Sequence, residues 1–407
     1  RRQRQMCIRD SSYTSVGSTV PVSLTWEKST TYDVGLDLDF FNNRLSVSGD
    51  YYRRYTTDMY TASVALPAVY GTGSPKGNNA EMKTDGWELS LSWRDSFKLG
   101  GKPFDYSIKA MVWDSKSVIT KYVNDTGSLG TVKGFIENGG SPSSYYVGMT
   151  VGEIWGYTVA GLFRDQADID SSAIHDFVQA SDKVTRPGQV KIADLDGNGF
   201  IDPGNFAVDD HGDLRIIGNQ SPRYRYGVNL SARWNGIGLS VFLQGVGARD
   251  WYPGSDAGMF WGKYGRPFFA LIPSIHNYTD DMYSAERNNW DTAYWPRMTT
   301  YQSNGTKNWT RLLEIPNTRY IQSAAYLRVK NIQLDYSFPK HICSAIRLQG
   351  LKIYVNAENL FTFTPLHKYA PNFDPEGLSY DSDFASAADG YTYPILKSVT
   401  VGVNITF

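Results

Sequence analysis

No stretch of this sequence reaches the roughly 18 consecutive apolar residues that a membrane-spanning helix requires, so a helical membrane protein is excluded. Cysteine is nearly absent: Cys7 and Cys343 are too few to staple a disulfide framework or to build a thiolate metal site. An excess of either charge is also missing. With 40 Lys and Arg against 41 Asp and Glu in 407 residues, the basic surplus that a nucleic-acid partner demands is not there. The five histidines stand singly at 175, 211, 276, 341 and 367. No His-Glu-x-x-His, no Gly-x-Ser-x-Gly and no phosphate-cradling glycine loop accompanies them. The expectation is a protein without catalytic residues, not an enzyme. Arg1 to Cys7 lacks the apolar core of a signal peptide, which implies an export signal already removed or a chain that begins inside a longer protein.

What is plentiful is aromatic: 28 Tyr, 19 Phe and 11 Trp, with 38 Gly, a balance that favours strands and turns. In steps of two, Tyr32, Val34, Leu36, Leu38 and Phe40 share one face, and Asp33, Gly35, Asp37 and Asp39 the other. Asn42-Asn43 turns the chain into Leu45, Val47, Gly49 and Tyr51, because Asn tolerates positive φ. The same alternation recurs along 87–93, 104–112, 224–234, 237–243, 332–338, 351–357 and 399–407, with Asn235-Gly236 as the sharpest hairpin signal. These make nine strands.

Their connections fall into two alternating classes: short at 42–44, 94–103, 235–236 and 339–350, long at 56–84, 114–223, 247–323 and 362–396. A soluble sandwich has no reason to sort its loops by edge, whereas an outer-membrane barrel has short periplasmic turns and long extracellular loops. The ten steps from Tyr224 to Trp234 span about 33 Å, and a tilt of about 40° projects them to about 25 Å, the height of a lipid-facing band. The fold class expected is all-β, a transmembrane antiparallel β-barrel. Nine is an odd number, and an open edge in lipid would leave unsatisfied backbone groups. Further strands are therefore expected upstream, in 10–28 or in the long loops.

Several runs closely resemble the SusC-like branch of TonB-dependent outer-membrane transporters: Trp26-Glu27-Lys28-Ser29-Thr30, Val34-Gly35-Leu36-Asp37, Phe40-Phe41-Asn42-Asn43-Arg44-Leu45, Gly86-Trp87-Glu88-Leu89, and Tyr326-Leu327-Arg328-Val329-Lys330-Asn331. Ala357-Glu358-Asn359-Leu360-Phe361, Asp374-Pro375-Glu376 and the terminal Ile405-Thr406-Phe407 resemble its closing segment. The resemblance runs from about residue 26 to the end and leaves 1–25 as an irregular or partial strand. It implies the C-terminal portion, about nine strands, of a 22-stranded barrel in the Gram-negative outer membrane. It also implies import of oligosaccharides or peptides with a SusD-like lipoprotein lid, energy from the TonB complex, and a dimer of transporter–lid pairs. Nothing in the chain resembles the plug domain or the TonB-contacting segment. A passive porin and a secreted carbohydrate-binding β protein are the alternatives.

Two constellations lie in the expected loops. Asp194-Leu195-Asp196-Gly197-Asn198-Gly199-Phe200-Ile201-Asp202 has the spacing of a calcium loop. Asp194, Asp196, Asn198 and Asp202 would supply side-chain oxygens and Phe200 its carbonyl, with a structural Ca2+ expected. The carboxylate usual at position 12 is replaced by Asn205, and Asp213 is the candidate substitute. An Asx-rich turn without metal is the other reading. The second constellation is aromatic: Trp251, Tyr252, Phe260, Trp261, Tyr264, Trp290, Tyr294 and Trp295, with Phe268 and Phe269 among them. Sugars present C–H faces that stack on such rings, while packing against a lid or neighbouring loops uses the same chemistry.

Overall fold

A computed structural model describes residues 24–62, 76–123, 127–129, 145–175, 185–253, 260, 281–297, 315–378 and 395–407. Nine strands form one antiparallel sheet in chain order: β1 (Lys28–Phe40), β2 (Leu45–Ala62), β3 (Lys76–Leu99), β4 (Lys102–Tyr122), β5 (Arg223–Trp234), β6 (Ile237–Ala248), β7 (Tyr326–Ser337), β8 (Gly350–Phe363) and β9 (Ser398–Thr406). The order β1 to β9 is an up-and-down meander with β1 and β9 at its ends, the topology of a partial barrel.

The turns at one end follow from their residues. Asn42 and Asn43 have φ of 54° and 62°, and Asn235-Gly236 has 48° and 87°, so Phe40 pairs with Leu45 and Trp234 with Ile237. Over 94–103 the strands continue to a two-residue Gly100-Gly101 turn pairing Leu99 with Lys102, shorter than the expected connection. A short helix, Lys340–Ala345, lies between β7 and β8 and buries Cys343; Cys7 lies outside the described residues.

At the opposite end β2, β3 and β4 run well past the expected boundaries. The connection expected over 56–84 is strand through Ala62 and again from Lys76, and the one expected from 114 begins only after Tyr122. These extensions are rich in polar residues, as in Lys76-Gly77-Asn78-Asn79. Once a strand leaves hydrocarbon its alternation disappears, although the ladder that holds it continues.

Register fixes which side chains share a face. Directly opposed rows such as Leu36, Gly49, Leu89 and Val112, or Val34, Tyr51 and Trp87, carry the apolar set across the sheet. Among the described residues this face has no protein interior behind it: Leu36 is 62% exposed and Val401 73%, while Leu89 and Val228 are only half-buried against neighbours on the same face. Both buried apolar clusters lie elsewhere, one drawn from the long connections and a small one, Ala80, Ile119 and Tyr122, on the strand extensions. Phe407 continues the outward register of Val401, Val403 and Ile405 and is exposed. On the other face glycine makes room for tyrosine. Tyr52 lies over Gly86 and Tyr354 over Gly402, where an added Cβ would stand 2.3 Å from the ring.

The two faces predict opposite responses to charge. Leu230→Arg, in the middle of the outward band, is expected to destabilise the bilayer-inserted fold by about 2–4 kcal/mol, and Ser231→Arg on the inner face far less. Denaturant titration from lipid vesicles measures both; equal costs would remove the lipid-facing assignment.

Candidate functional site

The acid-rich loop lies between two small strand pairs. Val159–Leu162 pairs with Val190–Ile192 on its entry side, and Glu153–Tyr157 with Leu214–Asn219 on its exit. Asp194 accepts the N–H of Gly197 at 2.6 Å and of Gly199 at 2.9 Å, and Asp196 accepts that of Asn198 at 3.0 Å. Asn198 in turn accepts the N–H of Phe200 at 2.7 Å. Gly197 and Gly199 sit at φ of 75° and 84°, so the turn requires glycine for its backbone conformation, and a Cβ at either would meet nothing within 4 Å. Ile201 is buried in the loop core, and Ile174 bridges to the loop from outside, giving its N–H to Gly199 and its carbonyl to Ile201.

Asp213 closes this loop. It is fully buried and accepts two backbone N–H groups, from Leu195 at 2.6 Å and Asp202 at 3.0 Å, thereby joining the start of the loop to its end. Oxygens of Asp194, Asp196 and Asp213 come within 4.8 Å of one another. Asn205 donates its amide to Asp210. Burial, aided by the charges of Asp196 and Asp194, raises the Asp213 carboxyl above the usual range, although its two N–H bonds oppose the shift. Asp194 is held below that range by the N–H groups of Gly199 and Gly197. Asn198 and Asp202 complete the ring, with the Asn198 amide donating to Asp196 at 3.1 Å and to Asp202 at 3.0 Å. The Phe200 side chain is exposed. The donors present are hard oxygens, the kind a divalent cation such as Ca2+ takes.

His175, beside Ile174, is a structural group. Its Nε2 accepts the N–H of Ile192 at 3.0 Å and its Nδ1 lies 2.8 Å from the Ala173 carbonyl. Burial pushes it down to about 4, so it stays neutral.

The aromatic constellation is the core of the loop layer. Trp251, Tyr252, Phe260 and Trp295 are buried, and Tyr294 and Trp290 half-buried; Trp261, Tyr264, Phe268 and Phe269 lie outside the described residues. Trp251 meets Phe373 with ring centroids 4.9 Å apart, Phe260 meets Trp295 at 5.2 Å, and Tyr294 stacks on Tyr369 at 3.6 Å and 3°. Asn317 donates to the Tyr252 hydroxyl at 2.8 Å, and Gln322 to that of Tyr294 at 2.8 Å. The buried rings are therefore engaged with the chain's own loops rather than presented outward. Their partners Phe373, Tyr369, Leu366 and Leu378 come from the 364–378 connection, more than a hundred residues from Trp251, a pairing no local pattern announces.

A second assembly unites two motifs used above only for the family resemblance. Arg328 on β7 is 3% exposed and binds Asp374 at 2.7 Å, Thr362 at 2.9 Å and Glu376, as an ion pair, at 3.2 Å. Lys330 reaches the other oxygen of Glu376 at 2.7 Å. Arg249 donates to the carbonyls of Pro375 at 2.8 Å and Leu378 at 2.7 Å. The 364–378 segment is thus latched to the inner face of the sheet. Nearer the turn end, Asp335 faces Arg233 at 3.7 Å and Lys352 at 3.2 Å beside a polar cavity of about 790 Å³. Asp37 and Asp39 bind Ser48 and Ser46, and Glu358 binds Ser398, so this part of the inner wall is polar.

A sheet that is apolar outside, polar inside and topped at one end by a packed loop layer defines an outer-membrane β-barrel. The chain belongs to the TonB dependent receptor-like β-barrel family, whose model matches residues 9–360 and whose members are transporters of the Gram-negative outer membrane. It is 26% identical over 393 residues to TonB-dependent receptor P3 of Formosa agariphila, covering 95% of this chain and 34% of that protein. To TonB-dependent receptor SusC of Bacteroides thetaiotaomicron it is 24% identical over 391 residues, covering 95% and 32%. The chain spans about a third of the length of these relatives. Among solved structures, the RagAB peptide transporter superposes with a TM-score of 0.63 at 19% identity, over 97% of this chain and 36% of that one, a likeness of fold.

Arg328→Ala would strand Asp374 without its cation and leave Glu376 to Lys330 alone, an expected local cost of about 3–5 kcal/mol. Faster hydrogen exchange and proteolysis confined to 364–378, with the sheet unaffected, are the outcome to look for; unchanged protection would show that the latch carries no energy.

Proposed function

We propose that this chain forms part of a SusC-type nutrient importer that takes up oligosaccharides or peptides beneath a SusD-like lipoprotein lid, with energy from the TonB complex. The observation that carries this reading is the packed loop layer latched to a polar inner wall, a mouth built for controlled passage rather than a free pore. The family supports it, as does the curated SusC relative. The printed description of RagAB as a peptide transporter keeps peptides beside glycans as the substrate class. Ile174 and Phe200 stand exposed side by side where Ile174 bridges to the acid-rich loop, an apolar pair of the kind a protein partner covers. Uptake of labelled oligosaccharide or peptide by cells carrying the full-length protein should stop when a protonophore collapses the proton gradient. Uptake that continues would favour a passive porin.

The acid-rich loop is the proposed Ca2+ site, with Asp194, Asp196, Asn198, Asp202 and Asp213 as side-chain ligands and the Phe200 carbonyl completing the set. The role is structural, tying the strand 190–192 of one pair to the strand 214–219 of the other. At a hundredfold excess over its dissociation constant, Ca2+ would stabilise the folded loop by about 2.7 kcal/mol. Calcium should raise the thermal midpoint of the purified protein, and Asp194→Ala with Asp196→Ala should abolish the rise; a midpoint that ignores calcium would refute the site.

A further inference from the structure

Cross-strand register places an uncompensated group of cations on the outward face, immediately above the aromatic edge of the lipid band. Val34, Tyr51, Trp87 and Asp114 form one opposed row. The next row toward the loop end is Tyr32, Arg53, Asp85 and Lys116, and the row beyond it contains Tyr55, Lys83 and Val118. Opposed residues in such rows stand about 5 Å apart, so Arg53 and Lys116 flank Asp85 from the two adjacent strands and Lys83 follows it on the same face, three long side chains around one carboxylate.

Among the described residues only one carboxylate serves them. Asp85 binds Arg53 at 2.5 Å and Lys83 at 3.1 Å, and Lys116 has no ion-pair partner among the described residues. The surrounding acids are committed elsewhere: Asp114 to Arg223, Glu81 to Lys121 and Asp58 to Lys28. Three cations against one carboxylate leave a local charge of about +2, with the Arg53 side chain 42% and that of Lys83 31% exposed. The group sits at the level where apolar Leu89 and Val112 give way, through Trp87 and Tyr51, to polar side chains, which is the headgroup depth of the outer leaflet.

We propose that Arg53, Lys83 and Lys116 form a binding site for the phosphate of an anionic lipid headgroup in the outer leaflet. Arg53 is oriented for it by Asp85 and by the Tyr51 hydroxyl, which its NH2 group reaches at 3.4 Å. The apolar rows below would receive the acyl chains of the same lipid. A surface of this charge at this depth discriminates among lipids by headgroup and not by chain.

The test uses the full-length protein in nanodiscs of phosphatidylcholine with a minor fraction of phosphatidylglycerol, with retained lipids counted by native mass spectrometry. The wild type is expected to retain phosphatidylglycerol over phosphatidylcholine. Arg53→Gln with Lys83→Gln and Lys116→Gln should weaken that retention at least about tenfold. Lys109→Gln, which removes one cation from the inner face, should leave it unchanged. Asp85→Asn, removing the shared carboxylate, should strengthen it, and serves if the triple variant does not fold. Equal retention by the triple variant, equal loss in Lys109→Gln, weaker retention in Asp85→Asn, or a change of oligomeric state without loss of lipid would each overturn the site.

Discussion

Every backbone N–H and C=O that enters hydrocarbon must find its partner within the protein, because no water is there to replace it. The rest of this molecule follows from that constraint. It forces the nine strands into one continuous sheet, and the ladder determines that alternate side chains meet lipid on one side and water on the other. The two faces then answer to different solvents. Outward positions collect Leu, Val and aromatic edges; inward ones collect Ser, Asp, Lys and the glycines that accommodate tyrosine rings. With a sheet so built, a buried apolar core is displaced to the connections, where water is present and the hydrophobic effect can act in its ordinary way.

The loop layer has the character of a small soluble domain mounted on the sheet. Its aromatic rings pack against one another, its acid-rich loop closes on a buried carboxylate, and its attachment to the wall is ionic. Arg328, Asp374, Glu376 and Lys330 make an attachment that is costly to break on one side only, since each member is largely buried with its counter-charge. Such a junction holds one arrangement strongly while leaving the ladder beneath untouched.

The outward charges above Trp87 and Tyr51 belong to the same logic. Where the ladder passes out of hydrocarbon the side chains no longer need be apolar, and those that replace them face headgroups on one side and the lumen on the other. The wall therefore has two polar chemistries at the same height, one addressed to the membrane and one to the lumen.

From the sequence alone, period-two alternation at 32–40, 224–234 and 399–407, with turns at Asn42-Asn43 and Asn235-Gly236, was sufficient to establish the strands, their order and their faces, because these depend on neighbours one or two residues away. The spacing from Asp194 to Asp202 was legible for the same reason. The extensions of β2, β3 and β4 were not, since a strand in water carries no alternation for the eye to follow. Only tertiary structure brought Asp213 to Asp194, placed Phe373 against Trp251 and joined Arg328 to Glu376. Such contacts depend on how long connections fold back over the sheet, and their packing energy arises between residues that no local periodicity relates.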